Sequence, residues 1–235
     1  MRKAVLLLAL VAVGLPGLSG TLREARAQAD SPPTMAPLQE YLMSKQAEIA
    51  LARSAAPSSV ADGGTVMILG RQGYTTAVRG TNGFVCYVER SWAKDTDDPE
   101  FWSPKIRAPN CFNRAAAGSV TQMYLMKTKL VLAGKSKAEI AQAIAAAGDR
   151  KELPAPAPGA MCYMMSKHQY LGDEPRSWYP HLMFYGAGDA AQSWGANLPG
   201  SPVMAFYDPQ ARVTVFMVVV GHWSDGTPGP QPRHD

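Results

Sequence analysis

The chain has 235 residues, of which 23 are basic and 19 acidic, for a formal net charge of +4. The excess sits mostly at the N-terminus: without Arg2, Lys3, Arg23, Arg26 and Glu24, 19 basic and 18 acidic residues remain, a net charge of +1. A near-neutral body leaves no electrostatic footprint for nucleic acid or an anionic membrane, and no apolar run is long enough to span a bilayer.

Residues 1–27 read as a cleavable export signal. Arg2 and Lys3 precede an apolar stretch from Ala4 to Leu18, and Ala25-Arg26-Ala27 offers an A-x-A cleavage site. Ala27-Gln28-Ala29 is a second candidate. The expected destination is the periplasm or the medium. Residues 28–36 read as a flexible leader and 37–223 as a single domain, of a size that buries a sizeable core.

A helix is expected from Pro37 to Ala55, with Leu38, Tyr41, Leu42, Ile49 and Ala52 near one face. Val66 to Leu69, Tyr74 to Arg79 and Phe84 to Ser91 read as strands. Gly73 marks one turn and Asn82-Gly83 another, giving a three-stranded meander. Lys94 to Asn110 reads as a polar loop. Asn113 caps a second helix, whose apolar face carries Val120, Met123, Tyr124, Leu130 and Val131, and Gly134 ends it. Ser136 and Glu139 form a capping box for a third helix, with Ile140, Ala143, Ile144 and Ala147 inward. Pro154, Pro156 and Pro158 stiffen the link to a strand from Ala160 to Lys167. Further strands are expected from His181 to Tyr185, from Pro202 to Tyr207 at an edge, and from Arg212 to Gly221 at the centre. Residues 224–235, rich in Pro and Gly, read as a disordered tail. The class is α+β: a mainly antiparallel sheet with about three helices.

Residues 83–106 and 159–182 align without a gap at an offset of 76, with seven identities in 24 positions. Gly83, Cys86, Tyr87, Asp97, Pro99, Trp102 and Pro104 meet Gly159, Cys162, Tyr163, Asp173, Pro175, Trp178 and Pro180. This reads as an internal duplication, each copy a strand, a turn and a return strand. Three cysteines in an exported chain make one pair and one left over. The alignment favours Cys86–Cys111 with Cys162 free, and Cys86–Cys162 is the rival.

Catalytic signatures are missing: there is no G-x-S-x-G elbow, Walker loop, H-E-x-x-H, C-x-x-C or EF-hand loop. The four histidines lack ligand spacing, so no metal and no cofactor is expected. The favoured reading is an exported, non-catalytic ligand-binding or interaction module with an unidentified ligand or protein partner. Its site residues would be His181, Trp178, Tyr179, Trp102, Glu89 and Arg90, which place loop aromatics and polar groups near strand ends. The alternative is a hydrolase using Cys162 or Glu89 with His181 as its base.

Overall fold

The structure is a computed structural model that describes residues 33–172 and 179–230. Among them, eight strands form one sheet: β1 Thr65–Gly70, β2 Gly73–Val78, β3 Val85–Glu89, β4 Ala108–Phe112, β5 Met161–Met164, β6 His181–Ala187, β7 Val203–Asp208 and β8 Val213–Val219. Their order is β2-β1-β3-β4-β5-β6-β8-β7, and every neighbouring pair is antiparallel except β1 with β3. Five α-helices accompany them: α1 Lys45–Arg53, α2 Ser58–Ala61, α3 Arg114–Ala117, α4 Val120–Leu132 and α5 Lys137–Asp149. The α+β class therefore holds, with more and shorter helices than the periodicity suggested.

The differences have local causes. The helix expected from Pro37 is broken: Leu38–Glu40 makes one 3-10 turn, and the α-helix starts only at Lys45. Extended Ser44 caps it, its hydroxyl accepting from Ala47 N. Tyr41 is held in the gap because its hydroxyl donates to Trp102 O at 2.7 Å. The helix expected to run on from Asn113 is likewise divided at Gly118 and Ser119 into α3 and α4. The Asn113 cap and the Ser136–Glu139 capping box are both present.

The meander is replaced by a crossover. The β1–β2 hairpin closes through Gly73, but β3 lies beside β1 and runs parallel to it. The chain passes under the start of β1, where Thr81 and Asn82 N–H groups both donate to Gly63 O. This passage demands Gly80, since a Cβ there would stand 2.2 Å from the backbone of Gly64 and Thr65. Asn82-Gly83 still turns, with Phe84 N donating to Asn82 Oδ1, but it closes no hairpin.

Strand β4 was expected to be loop. Its sequence, Ala-Pro-Asn-Cys-Phe, carries a proline that argues against an interior strand, yet all five residues are buried between β3 and β5. By contrast β8, read as the central strand, is one strand from the edge, and β7 forms the edge as expected.

Alternation along the strands sorts the core into two faces. Val66, Cys86, Val88 and Cys111 lie on the face covered by α1 and α2. Tyr87, Phe112 and Cys162 lie on the other, beneath α3, α4 and α5, where Tyr124, Val131, Ile140 and Ile144 complete the core. Register sets Cys86 directly opposite Cys111, and the two form a disulfide with Cα atoms 4.0 Å apart. Cys162 is free and buried. The rival Cys86–Cys162 bond is not made, because β4 separates the two strands and the side chains point to opposite faces.

The duplication is not visible as repeated architecture. Strand β3 has a parallel and an antiparallel neighbour, whereas β5 has two antiparallel ones. Trp178 and the turn before it, 173–178, lie outside the described residues. Ser224, where the expected tail begins, donates from N to Met165 O and from Oγ to Ser54 O. Residues 226–229 also turn back on the chain, Gly229 N donating to Gly221 O. The glycines and prolines of residues 224–230 serve ordered turns, and the rest of the expected tail, 231–235, lies outside the described residues.

Candidate functional site

On the helical face, beyond the packed centre, a cavity of about 540 Å³ opens between the sheet and α4. Its floor is built by alternate residues of four strands: Phe112 of β4, Met183 and Tyr185 of β6, Val213 and Val215 of β8, and Phe206 and Asp208 of β7. Cross-strand register makes these neighbours, Tyr185 facing Val215 and Val215 facing Phe206. Val120, Met123, Tyr124 and Lys127 of α4 form one wall, and the 151–156 segment after α5 another. Phe206, which also lines the cavity, is 53% exposed.

One end is polar. Glu89, the last residue of β3, lines the cavity, with Oε2 accepting from Asn110 Nδ2 at 3.0 Å. Burial pushes its carboxyl up to about 8, the positive charge of Lys127 and the hydrogen bonds opposing only in part. Glu89 is therefore largely protonated at neutral pH. Lys127 is 4% exposed, and desolvation lowers its pKa against the pull of Asp208, Asp95 and Glu89. Its ammonium donates to Lys94 O at 3.1 Å and forms no ion pair among the described residues.

A hydrogen-bonded chain runs beneath the floor. Asn110 Oδ1 accepts from Cys162 Sγ at 3.4 Å, and Cys162 Sγ lies 3.2 Å from the Tyr185 hydroxyl. With the thiol donating to Asn110, Tyr185 donates to sulfur, and every donor in the chain points towards Glu89. The thiol pKa is raised by burial, which makes Cys162 a poor thiolate. The buried Tyr87 hydroxyl lies close enough to Glu89 to help hold its carboxyl down, although their geometry falls short of a regular hydrogen bond.

Of the six residues expected at the site, the cavity takes one, Glu89. Arg90, next in sequence, points the other way. It is fully buried, its Nη2 2.8 Å from Glu48 Oε1, with further bonds to the carbonyls of Tyr41 and Val88. Glu48 also accepts from Leu69 N, so the pair ties α1 to β1 and β3. Trp102 is a core anchor, 5% exposed and edge-on to Phe101. His181 is 3% exposed and its Nδ1 lies 2.8 Å from Tyr179 O; burial lowers its pKa. It does not line the cavity, and neither does Tyr179. Trp178 lies outside the described residues. Cys162 and His181 share the floor face of the sheet, but His181 stands opposite Met164 while Cys162 stands opposite Met183. Each bonds other partners, so they form no nucleophile–base pair here. No group of three metal-ligating side chains occurs among the described residues.

Lys127 and Asp208 were not anticipated. The signal for Lys127 was present, since it falls at helical spacing between Tyr124 and Val131 on the apolar stripe of α4, where a lysine is out of place. Asp208 precedes Pro209 between two strands, a dipeptide that reads as a turn and carries no site signal.

Fold and site together define an α+β protein with an eight-stranded sheet and an apolar cavity ending in a carboxyl and an ammonium. No family model matches the chain, and neither the curated proteins nor the solved structures contain a match.

Proposed function

We propose that the protein is an exported, non-catalytic binding module that takes a small, mainly apolar ligand into the cavity over β4, β6, β8 and β7. The carrying observation is the cavity itself: a concave space of ligand size, walled by Phe112, Met123, Met183, Phe206 and Val215, with the Glu89 carboxyl and the buried Lys127 ammonium among its lining. Export is supported by the basic and apolar N-terminal pattern with its A-x-A site, and by the disulfide, which suits an oxidising compartment. No helix among the described residues is long and apolar enough to cross a membrane. The duplication remains a proposal about how the chain arose.

The test is uptake of the fluorophore aminoanthracene, whose emission rises in an apolar site. Binding at micromolar concentration is expected for the native chain and is lost in Met123→Trp and in Val215→Phe, each of which fills the cavity from a different wall. Equal uptake by both filled variants, with thermal unfolding showing that they are folded, sinks the reading.

A second reading rests on Glu89 and Lys127, a buried acid and base with pKa values displaced towards neutrality. They would serve a hydrolase as general acid and base, without Cys162 or His181. Turnover of apolar esters that disappears in Glu89→Gln supports that reading. Ligand recovered intact after prolonged incubation supports binding alone.

A further inference from the structure

The polar end of the cavity offers donors in surroundings that favour neither sign of ligand charge. Resting on the binding reading above, we infer that the ligand is an uncharged amphiphile whose apolar body carries a carbonyl-type hydrogen-bond acceptor, received by Lys127 and Glu89. Lys127 has three N–H donors, and one hydrogen bond, to Lys94 O, occupies it among the described residues. The other donors belong to a side chain that lines the cavity and is almost wholly buried. Unfilled donors in such a place are costly, and a ligand acceptor relieves them. Glu89 adds a donor of its own. One of its oxygens is committed to Asn110 and the Tyr87 hydroxyl lies nearby; the proton it keeps at neutral pH sits on the oxygen that Asn110 does not hold.

Charge selects against the alternatives. An anionic head would approach Lys127 but also Asp95 and Asp208, which are coupled to it, while the other cations of the lining, Lys151 and Arg212, are exposed and Arg212 is paired with Asp149. A cationic head would be set beside the buried ammonium. Either would pay for desolvation without an unopposed partner. A ketone, aldehyde, ester or amide oxygen takes the donors and pays neither cost.

Glu89 makes the affinity pH-dependent. The groups within its electrostatic reach are Lys127 and Tyr124 on α4, Tyr74 on β2, Tyr87 on β3, Cys162 on β5 and Tyr185 on β6. Burial raises the pKa of the tyrosines and of the cysteine, so of these acids Glu89 is the first to ionise as pH rises. Losing its proton removes a donor and sets a carboxylate against the ligand oxygen.

The experiment displaces aminoanthracene from the full mature chain with three ten-carbon probes that differ in their heads: methyl octyl ketone, decanoate and decylamine. The ketone is expected to displace at roughly tenfold lower concentration than either charged probe. Lys127→Met should weaken the ketone about tenfold, the loss of one good hydrogen bond. Glu89→Gln keeps a donor in the amide but cannot ionise, so it isolates the pH dependence. The native chain should lose ketone affinity above about pH 8, where Glu89 ionises, and Glu89→Gln should not. Tighter binding of decanoate or decylamine, equal binding of all three, or an indifferent Lys127→Met overturns the inference while leaving the cavity a binding site. Failure of the fluorophore to enter the native chain removes the binding reading and this inference with it.

Discussion

Replacing Glu89 by glutamine tests the electrostatics of the site without any ligand. In the folded chain the carboxyl titrates at about 8, against 4.5 for an unperturbed glutamate. Between those values the native state holds a proton that the unfolded state has lost. Stability therefore falls as pH rises through that window, by up to about 1.4 kcal/mol per unit. The whole displacement sets a ceiling near ~5 kcal/mol. Glu89 keeps some access to the open cavity, and solvent there screens it, so about 2 to 3 kcal/mol is the expected effect. Glutamine keeps the shape and the acceptor for Asn110 and has no proton to lose. Urea unfolding of both proteins from about pH 5 to pH 8.5 should give similar stabilities at the acid end. At the alkaline end Glu89→Gln should be the more stable by that 2 to 3 kcal/mol. Parallel curves would mean that Glu89 is not desolvated. A native chain that gains on the variant as pH rises would mean that Lys127 pairs with Glu89 strongly enough to hold it ionised, and the reasoning would be wrong in sign.

Other expectations follow from the scaffold. Arg90→Met strands Glu48 as a buried, uncompensated carboxylate and should cost about 3 to 5 kcal/mol in chemical denaturation; a loss below about 1 kcal/mol would show that the pair is dispensable. Replacing both Cys86 and Cys111 by alanine opens a loop of 25 residues and should lower stability by about 3 kcal/mol on a chain-entropy view, while peptide mapping of the native chain should find Cys162 unalkylated. Gly80→Ala must displace the backbone of Gly64 and Thr65, and should cost about 2 to 4 kcal/mol in thermal unfolding; a neutral effect would refute the crossover beneath β1.

Much of the fold could be read from local pattern, where local forces decide. The Ser136–Glu139 capping box, the Asn113 cap and the alternating strands all follow from short-range geometry, and the Cys86–Cys111 bond followed from the alignment of the two similar segments. What escaped was decided by tertiary contact. The residues of β4 form a strand because β3 and β5 bury them on both sides, which overrides the proline. The parallel β1–β3 pairing depends on one close backbone approach at Gly80, a contact that no periodicity encodes. For the site, Glu89 was singled out for its place at a strand end, and the structure brings it to the cavity. Arg90, the neighbour of Glu89, and Trp102, expected at the site as a loop aromatic, serve the core, because residues adjacent on a strand face opposite ways and loop aromatics also anchor packing. Lys127 is a visible misfit on an apolar stripe, but helical periodicity marks apolar positions and assigns no role to a lysine among them.

The measurement closest to the central claim is the methionine methyl NMR spectrum of the carbon-labelled protein as methyl octyl ketone is added. Met123 and Met183 line the cavity from helix and sheet, whereas Met67 lies on β1, towards the far edge of the sheet. Saturable shifts are expected at Met123 and Met183, with Met67 unmoved. Shifts spread evenly over all three, or an unchanged spectrum at saturating probe, would contradict that claim.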